Sequence, residues 1–391
     1  MNHKEKKRKV DPVLLAAWLL AVVSAFFVHP DKTYFDYIDW RSLGILWSLM
    51  VVIQGLKQNA VFEKIGAGLL TKAKKGWQLS AVLIFLCFFS AMLITNDVAL
   101  ITFVPFAMMM LHQSGREDLM IPVVVLQTVA ANLGSMLTPV GNPQNLYLFQ
   151  YTGMPIGEFL SAMFPYVCLT AVLLCLSILM LPGKEKKLEM HEHFDTVKSF
   201  GSRRQIGIYT ALFLAALFTV VRFRPWQVIV NAILPGEPWK ILVLAVFLVV
   251  LGMDTQILFR ADYALLMTFI GFFIFTGNMG RIDAVRTLLA NAMEGRELLV
   301  SVLTSQCISN VPATLLLADF TSEYHALLLG VNFGGLGTLI ASMASLISYK
   351  AYAGAYPDKK GRYLLVFTGI NLVYLLITLV VHYGIINSFV G

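Results

Sequence analysis

The chain has 391 residues, of which 58% are hydrophobic and 14% are charged, and its mean hydropathy is +0.72. Soluble domains carry about 25% charged residues, so the composition predicts an all-α polytopic membrane protein embedded in a lipid bilayer. The net charge of +7 does not indicate a nucleic-acid partner, because the Lys and Arg residues lie in short loops beside apolar segments, where they indicate topology.

The N-terminal segment is basic up to Val10 and apolar from Pro12 to Val28. No small-residue cleavage site follows, so we expect an uncleaved first span whose basic end is cytoplasmic. A second span, at about residues 43–56, returns the chain to the cytoplasm. Residues 57–75 then alternate lysines with apolar residues, which is typical of a helix lying in the membrane interface.

The next apolar run, residues 77–111, has two polar residues at its centre, Asn96 and Asp97. Its downstream arm, Val98 to Leu111, has 14 residues, fewer than the roughly 20 that a spanning helix needs. A carboxylate inside hydrocarbon costs about 2.5–3.5 kcal/mol and usually faces a partner or a wet cavity. The pattern predicts a re-entrant helical hairpin with a polar tip, entering from the cytoplasmic side.

Residues 119–150 predict a discontinuous transmembrane helix. The interruption, Thr138 to Asn145, contains Pro139, Gly141 and Pro143. A proline inside a helix removes a backbone donor and clashes with the preceding turn. We therefore expect unwound backbone at mid-membrane depth.

The polar loop after residue 182 is rich in Lys and Arg and is predicted to be cytoplasmic. Within it, His191, Glu192 and His193 could form a metal-binding group, although a solvated linker is the favoured interpretation. The remaining full spans are predicted at residues 159–181, 205–221, 241–253, 263–278 and 363–382.

A second hairpin and a second broken helix are predicted in the C-terminal half. The apolar run 297–318 is interrupted by Ser309, Asn310 and Pro312, and residues 324–350 are rich in Gly and Ser. The whole chain then has about nine full spans plus two hairpins.

These features predict an internal repeat. The matched landmarks are the tips ITND (94–97) and ISNV (308–311), the breaks NLGSMLTPVGNPQN (132–145) and NFGGLGTLIASMAS (332–345), and the glycines Gly55 and Gly277. The offset is 310 − 96 = 214 for the tips and 332 − 132 = 200 for the breaks. Apolar segments can match by composition alone, but three landmarks in the same order favour a repeat.

The charge topology places the two hairpin openings on opposite faces, so the repeats are predicted to be inverted, with a site between them at mid-membrane depth. We divide the chain into a first repeat (1–182), a cytoplasmic linker with a linking span (183–238) and a second repeat (239–391). The N-terminus is predicted to be cytoplasmic and the C-terminus external.

At these residues the sequence resembles the ion-transporter superfamily, which includes citrate permeases, arsenite permeases, divalent anion:sodium symporters and certain sodium/proton antiporters. The resemblance extends from about residue 13 to 385. Thr95-Asn96-Asp97 and the break at 132–145 are most similar to the arsenite and citrate branches. The second tip resembles the Ser-Asn-Thr tip of the dicarboxylate branch, but Val311, like Asp97 in the first tip, stands where that branch has Thr.

The resemblance implies two cation sites, each built from a hairpin tip and the adjacent break, with the substrate between the tips. The implied cation-binding residues are Thr95, Asn96, Asp97, Thr138, Gly141, Ser309, Asn310, Thr338 and Ala341, which could hold Na+. The implied substrate-binding residues are Asn96, Asn142, Asn145, Asn310, Ser342 and Ser345, with Gln144 as a further neutral group. Unwound carbonyls suit Na+, and the N-termini of half-helices suit an anion.

Asp97 distinguishes the alternatives. Its carboxylate could complete a sodium site, repel an anion or carry a proton, or it could only cap the helix that it precedes. For Asn96 and Asn310 a binding role is favoured over turn formation alone, whereas Gly141 fits close backbone approach and a binding role equally well.

We therefore expect a secondary-active transporter that moves a small anion, a carboxylate or an inorganic oxyanion, coupled to Na+ or H+ by an elevator-type movement of the hairpins. The alternatives are a cation/proton antiporter with Asp97 as its exchangeable acid and an arsenite-type efflux permease. A channel is disfavoured because polarity is concentrated in two midplane clusters. An enzyme is disfavoured because no HExxH or GxSxG motif occurs. We expect no cofactor beyond the coupling ion, and the resemblance implies a homodimer in the bacterial inner membrane.

Overall fold

A computed structural model describes residues 12–386 except 71–72, 189–200, 234 and 236. The predicted all-α class is confirmed, since the β pairing in this part of the chain is an isolated bridge between Lys75 and Lys187. The residues His191, Glu192 and His193 lie outside the described residues.

Both halves of the described chain are built from α-helices. Those of the first half are α1 (Pro12–Ala25), α2 (Trp40–Gln58), α3 (Val61–Leu70), α4 (Gly76–Ile94), α5 (Asn96–Gln113), α6 (Met120–Gly134), α7 (Pro143–Thr152) and α8 (Ile156–Leu179). Those of the second half are α9 (Arg203–Val220), α10 (Arg224–Ile233), α11 (Pro238–Met253), α12 (Thr255–Leu258), α13 (Tyr263–Gly280), α14 (Asp283–Met293), α15 (Glu297–Ile308), α16 (Asn310–Leu317), α17 (Tyr324–Phe333), α18 (Met343–Ala355) and α19 (Lys360–Val381).

Five helices of the described chain are long and apolar enough to cross a membrane, and the number rises to seven if each of two bent helix pairs counts as one span. Three further apolar helices, α1, α11 and α15, have between 10 and 17 residues. The chain is therefore an integral membrane protein by length and composition of its helices, whereas the number of nine full spans stays a prediction.

Two helix pairs turn back at a single residue. The first pair, α4 and α5, turns at Thr95, where φ is 71° and ψ is 148°. The second pair, α15 and α16, turns at Ser309 with nearly the same dihedral angles, 75° and 154°. Positive φ is uncommon outside glycine and is a genuine outlier for a β-branched residue such as Thr95. Strained backbone of this kind persists where surrounding structure holds it in place.

Two helices are interrupted where the sequence predicts breaks. The chain leaves α6 at Gly134, passes through the 3-10 turn Ser135–Leu137, and starts α7 at Pro143. Proline suits this first helical position because its missing N–H would have no intrahelical partner there. Between α17 and α18, residues 334–342 are likewise non-helical.

Helix α8 shows the direction in which each hairpin opens. At its C-terminal end, Lys75 beside the start of α4 pairs with Glu185 at 2.8 Å, and the Trp77 N–H donates to the Lys184 carbonyl at 2.9 Å. At its N-terminal end, His325 beyond the end of α16 lies 3.0 Å from Glu158. A helix of 24 residues is about 36 Å long, so the two hairpins open at opposite ends of the molecule, here named the Glu185 end and the Glu158 end.

The broken helix of the first half lies at the centre of the molecule. In the segment Glu117–Leu137, which contains α6, 94% of the most apolar 18-residue stretch is buried, compared with 28% in Pro357–Gly384, which contains α19. The polar residues of α6 and its break are therefore held inside the protein, while α19 and α8 face outward. Buried polar groups need partners, and those partners define the site.

Candidate functional site

The first hairpin tip is bonded directly to the first break. The backbone N–H of Asn96 donates to the Gly141 carbonyl at 3.0 Å, and the Gly141 N–H donates to the Thr138 carbonyl at 3.2 Å. The Asn96 side-chain oxygen accepts from the Asp97 N–H at 2.9 Å, and the Thr138 hydroxyl donates to the Met92 carbonyl. Unwound backbone thus supplies partners for the first residues of α5.

The second tip and break repeat this arrangement. The Asn310 N–H donates to the Ala341 carbonyl at 2.9 Å, and the Ala341 N–H donates to the Thr338 carbonyl at 3.2 Å. The Asn310 side-chain oxygen accepts from the Val311 N–H at 2.9 Å. Four predicted cation-binding residues, Thr338 and Ala341 here and Thr138 and Gly141 in the first half, are therefore in contact with or next to a hairpin tip.

Two buried asparagines then join the halves. The Asn132 side-chain oxygen, in α6, accepts from Asn96 at 3.2 Å and from the Ser342 hydroxyl at 3.1 Å. The Asn132 side-chain N–H₂ donates to Ser345 and to the Gly335 carbonyl, both at 3.3 Å. Asn132 is 3% exposed, so its hydrogen bonds replace those that water would make.

The matching residue of the second half makes the reciprocal bonds. The Asn332 side-chain oxygen, in α17, accepts from Asn142 at 3.0 Å, and its N–H₂ donates to Asn145 Oδ1 at 2.7 Å. Asn142 also caps α7, because its side-chain oxygen accepts from the Asn145 N–H at 2.9 Å. Asn142 and Asn145 stand 200 residues before Ser342 and Ser345, so each asparagine bonds to the matching pair of residues in the other half.

Asn132 and Asn332 are not among the residues that the sequence predicts for the site. Each is an asparagine near the end of an apolar helix, and its partners in the tips and breaks lie 36 to 213 residues away along the chain. Their position in the repeat could have identified them, because Asn132 and Asn332 are the first residues of the two matched break sequences.

A small cavity lies between the tips and the breaks, with a volume of about 10 Å³. Its lining residues are Asn96, Asp97, Pro143, Gln144, Leu265, Asn310, Val311, Ser342 and Met343. This is room for about one water-sized particle. The cavity is therefore too narrow for a carboxylate or an oxyanion in this state, which is here called the closed conformation.

Four helix N-termini converge on this cavity. The residues Asn96, Pro143, Asn310 and Met343 are the first residues of α5, α7, α16 and α18, and each lines the cavity. A helix N-terminus carries a partial charge of about +0.5. These partial charges oppose the single carboxylate of Asp97, which is the only ionisable residue among the described residues that line the cavity. The first N–H groups of α5 and α16 already have acceptors in the tips and breaks, so the contribution of these two helices is their dipole rather than free donors. The arrangement is suited to an anion.

Not every predicted substrate-binding residue reaches the cavity. Asn96, Asn310 and Ser342 line it. Asn142, Asn145 and Ser345 are buried and bonded to Asn332 or Asn132 instead. In this closed conformation they position the breaks rather than face the cavity.

The predicted cation-binding residues of the tips have distinct places. Thr95 is the N-cap of α5, and its hydroxyl accepts from the Val98 N–H at 3.5 Å. Asp97 lies in the first turn of α5, so the capping position belongs to Thr95 rather than to Asp97. The buried Ser309 hydroxyl lies 3.5 Å from the Ala341 carbonyl. The Gln144 Oε1 atom is buried and has no hydrogen-bond partner among the described residues, so it can accept a hydrogen bond from a ligand.

Comparison with known proteins places the chain among transporters. A family described as "Citrate transporter" matches residues 5–325. An uncharacterized transporter of Methanocaldococcus jannaschii is 30% identical over 345 residues, which are 88% of this chain and 89% of that protein. The inner membrane protein YbiR of Escherichia coli is 27% identical over 342 residues, 85% of each chain. A silicon efflux transporter of Oryza sativa is 28% identical over 152 residues, 39% of this chain and 30% of that protein.

The resemblance to the ion-transporter superfamily is thereby confirmed. The match extends over most of the chain and includes both hairpins, the first break and α13. The chain is an integral membrane transporter that belongs to the citrate transporter family.

Proposed function

We propose that the chain is a secondary-active transporter that moves a small anion, a carboxylate or an inorganic oxyanion, coupled to Na+ or H+. The observation that supports this proposal is the convergence of four helix N-termini on one buried cavity. An anion would be harder to release from a charged side chain than from backbone dipoles, because a buried ion pair is expensive to break. A transporter must release its ligand, so helix N-termini suit it better than Lys or Arg.

The coupling ion is proposed to bind at the contact between each tip and its break. The Gly141 and Ala341 carbonyls each accept one amide N–H there. A carbonyl oxygen has a second lone pair, which Gly141 could offer to a cation. The Ala341 oxygen also accepts from the Ser309 hydroxyl at 3.5 Å, a bond that a cation would replace. Asp97 adds a negative charge at the first tip, whereas the second tip has Val311. The two sites would therefore differ, with the first able to hold Na+ or a proton.

We propose an elevator-type mechanism in which two inverted repeats supply the moving unit. The tip-to-break bonds and the reciprocal bonds of Asn132 and Asn332 connect α5, α6, α7, α16, α17 and α18 into one unit. The cavity within this unit is closed, so access from either face would require the unit to move relative to α2, α9, α11 and α13. The proposed location is the bacterial inner membrane, with the N-terminus and the Glu185 end cytoplasmic.

A second candidate function is efflux of an uncharged hydroxylated oxyacid, as in the arsenite-type alternative. Two observations favour it. Among the described residues, no Lys or Arg lines the cavity, and the buried Gln144 Oε1 and the Asp97 carboxylate are hydrogen-bond acceptors that would suit hydroxyl groups. The similarity to a silicon efflux transporter is consistent with this class.

A thermal-shift screen of the purified protein tests the proposal and separates the candidates. The probes are citrate, succinate, phosphate, arsenite and silicic acid, each with and without Na+ and at two pH values. A ligand at 100 times its Kd stabilises the folded state by about 2.7 kcal/mol. We expect an anion to raise the melting temperature only together with Na+ or at the lower pH.

The matched variants are Asn310→Ala, which removes a cavity-lining side chain, and Asn291→Ala, at an exposed position of α14. The ligand-induced shift should be lost in the first and kept in the second. Stabilisation by arsenite or silicic acid alone would support the second candidate, and an anion shift that survives in Asn310→Ala would contradict the site.

A further inference from the structure

A second cavity lies at the Glu185 end of the molecule and has a volume of about 500 Å³, which is within the range of small-molecule sites. Its walls are the start of α6, the segment just after α8, the end of α18 and the first turns of α19. None of its lining residues belongs to the cavity between the hairpin tips. It is therefore a separate site, and a ligand could bind there whether or not the proposed transport function is correct.

Lys359 and Arg362 supply the positive charges of this lining. Neither forms an ion pair with any residue that the structure describes. The Lys359 ammonium lies 5.8 Å from the centre of the Tyr356 ring, another residue of the lining. An arginine fork and a lysine ammonium are the side chains that most often bind phosphate groups in proteins. The two residues therefore suit a phosphate.

Two carboxylates line the same cavity, those of Glu117 and Asp118. Both Asp118 oxygens accept from the Arg116 guanidinium at 2.9 Å. Glu117 uses Oε1 toward His112 Nδ1, at 2.6 Å, and this contact leaves its Oε2 atom for a ligand. Neither Arg116 nor His112 lines the cavity.

Opposite charges thus line one cavity, and no ion pair joins the acids to the bases among the described residues. A ligand that carries both charges could connect them. Its phosphate would lie at Lys359 and Arg362, and its cationic group would lie at Glu117.

The position of the cavity favours a lipid over a soluble ligand. Helix α19 faces outward, since 28% of the most apolar stretch of Pro357–Gly384 is buried. Arg362 is in the first turn of α19, and Val366, one turn farther along, also lines the cavity together with the apolar residues Met120 and Ile121 of α6. The lining therefore changes from charged to apolar along an outward-facing helix. Pockets of this kind between transmembrane helices bind lipid headgroups.

We propose that this cavity binds the headgroup of an aminophospholipid, a lipid with a phosphodiester and a primary ammonium group. Arg362 and Lys359 would donate to the phosphate, the ammonium would donate to Glu117 Oε2, and the acyl chains would extend past Val366 along α19. A quaternary ammonium has no N–H to donate, and a glycerol headgroup has no positive charge. Neither of these headgroups would satisfy both sides of the cavity.

Native mass spectrometry of the delipidated full chain in detergent tests this proposal. The probe is dioleoyl-phosphatidylethanolamine, and phosphatidylcholine and phosphatidylglycerol with the same acyl chains are its counterparts. We expect the first phosphatidylethanolamine to bind about tenfold more tightly than the first molecule of either counterpart, which corresponds to about 1.4 kcal/mol. Soluble glycerophosphoethanolamine at equal concentration should not displace the lipid, because it lacks the acyl chains.

Three variants at exposed positions make the test specific. Arg362→Gln should weaken binding of phosphatidylethanolamine about tenfold, since it removes a charged hydrogen-bond donor. Glu117→Gln should weaken phosphatidylethanolamine to the level of phosphatidylcholine without weakening phosphatidylglycerol, a difference that a general loss of structure would not produce. Lys360→Gln, next to Lys359 but outside the lining, should keep its affinity within twofold.

Equal binding of the three lipids would overturn the proposal. So would an unchanged affinity for phosphatidylethanolamine in Arg362→Gln or in Glu117→Gln. Displacement of the lipid by glycerophosphoethanolamine at equal concentration would contradict a lipid as the ligand.

Discussion

The Asn142 side chain donates a hydrogen bond of 3.0 Å to the Asn332 side-chain oxygen, across 190 residues of chain. The Ser342 hydroxyl makes the matching bond of 3.1 Å to Asn132. Asn132, near the end of α6, therefore positions the N-terminus of α18, and Asn332, near the end of α17, positions the N-terminus of α7. The site is assembled only when both halves are folded together.

Replacing Asn332 by alanine should destabilise the protein. The change leaves the Asn145 side-chain oxygen and the Asn142 N–H₂ group without one partner each, and a buried unsatisfied polar group costs about 1–3 kcal/mol. Inside membrane proteins such bonds are often worth less, so we expect a loss near the lower end of that range. Thermal unfolding in detergent measures it, with the exposed Asn291→Ala as the control. Equal melting temperatures for the two variants would show that the cross-half bonds contribute no stability.

Gly141→Ala should disrupt the first break. An added Cβ would lie 2.0 Å from the Ser135 carbonyl oxygen, which is backbone and cannot move aside cheaply. Overpacking costs about 1–3 kcal/mol, and displacement of Gly141 would also break the bond from the Asn96 N–H. We expect transport in proteoliposomes to fall at least tenfold. Gly157→Ala, where nothing lies within 4 Å of the added Cβ, is the control. The second break already has Ala341 at the matching position, so Ala341→Gly should be mild, and a similar loss in both breaks would contradict this asymmetry.

Gln306 holds the second break in its unwound form. Its N–H₂ donates to the Gly334 and Leu336 carbonyls, each at 2.9 Å, and its oxygen accepts from the Thr338 N–H at 3.0 Å. Backbone groups freed at membrane depth must find such partners. Gln306→Leu should therefore lower stability by about 2 kcal/mol and increase hydrogen exchange at residues 334–338. Unaltered exchange there, with the exposed Gln256→Leu as reference, would show that other groups hold the break.

Asp97→Asn should change how transport depends on pH and Na+. The amide has nearly the same shape as the carboxylic acid but can neither take up a proton nor offer a full negative charge to a cation. If Asp97 carries the coupling ion, uptake into proteoliposomes should lose its dependence on the proton or sodium gradient. Asp283→Asn, at a distant acid in the first turn of α14, should keep that dependence. A variant at Asp97 with an unchanged pH and Na+ profile would limit this residue to a structural role.

The tips and breaks were predictable because prolines, glycines and polar residues cluster there, whereas the single prolines Pro105 and Pro165 lie inside the continuous helices α5 and α8. Such interruptions do not show which residues of one half lie close to which residues of the other half. Asn132 and Asn332 resemble ordinary helical residues until their partners from the other half are known. Likewise, Asn145 and Ser345 were predicted to contact the substrate, but both are bonded to these asparagines in the closed conformation. The sequence shows which residues are polar, and only packing between the halves decides which of them face the cavity.

The most direct test of alternating access is the accessibility of Ser342, which is buried and lines the closed cavity. The variant Ser342→Cys would be made in a background in which Cys87, Cys168, Cys175 and Cys307 are replaced. A membrane-impermeant thiol reagent is then added to one side at a time of oriented proteoliposomes, with Glu158→Cys and Glu185→Cys as markers of the two faces. The elevator mechanism predicts that Ser342→Cys is modified from both sides, while each marker reacts from one side only. Modification of Ser342→Cys from a single side, or from neither, would contradict it.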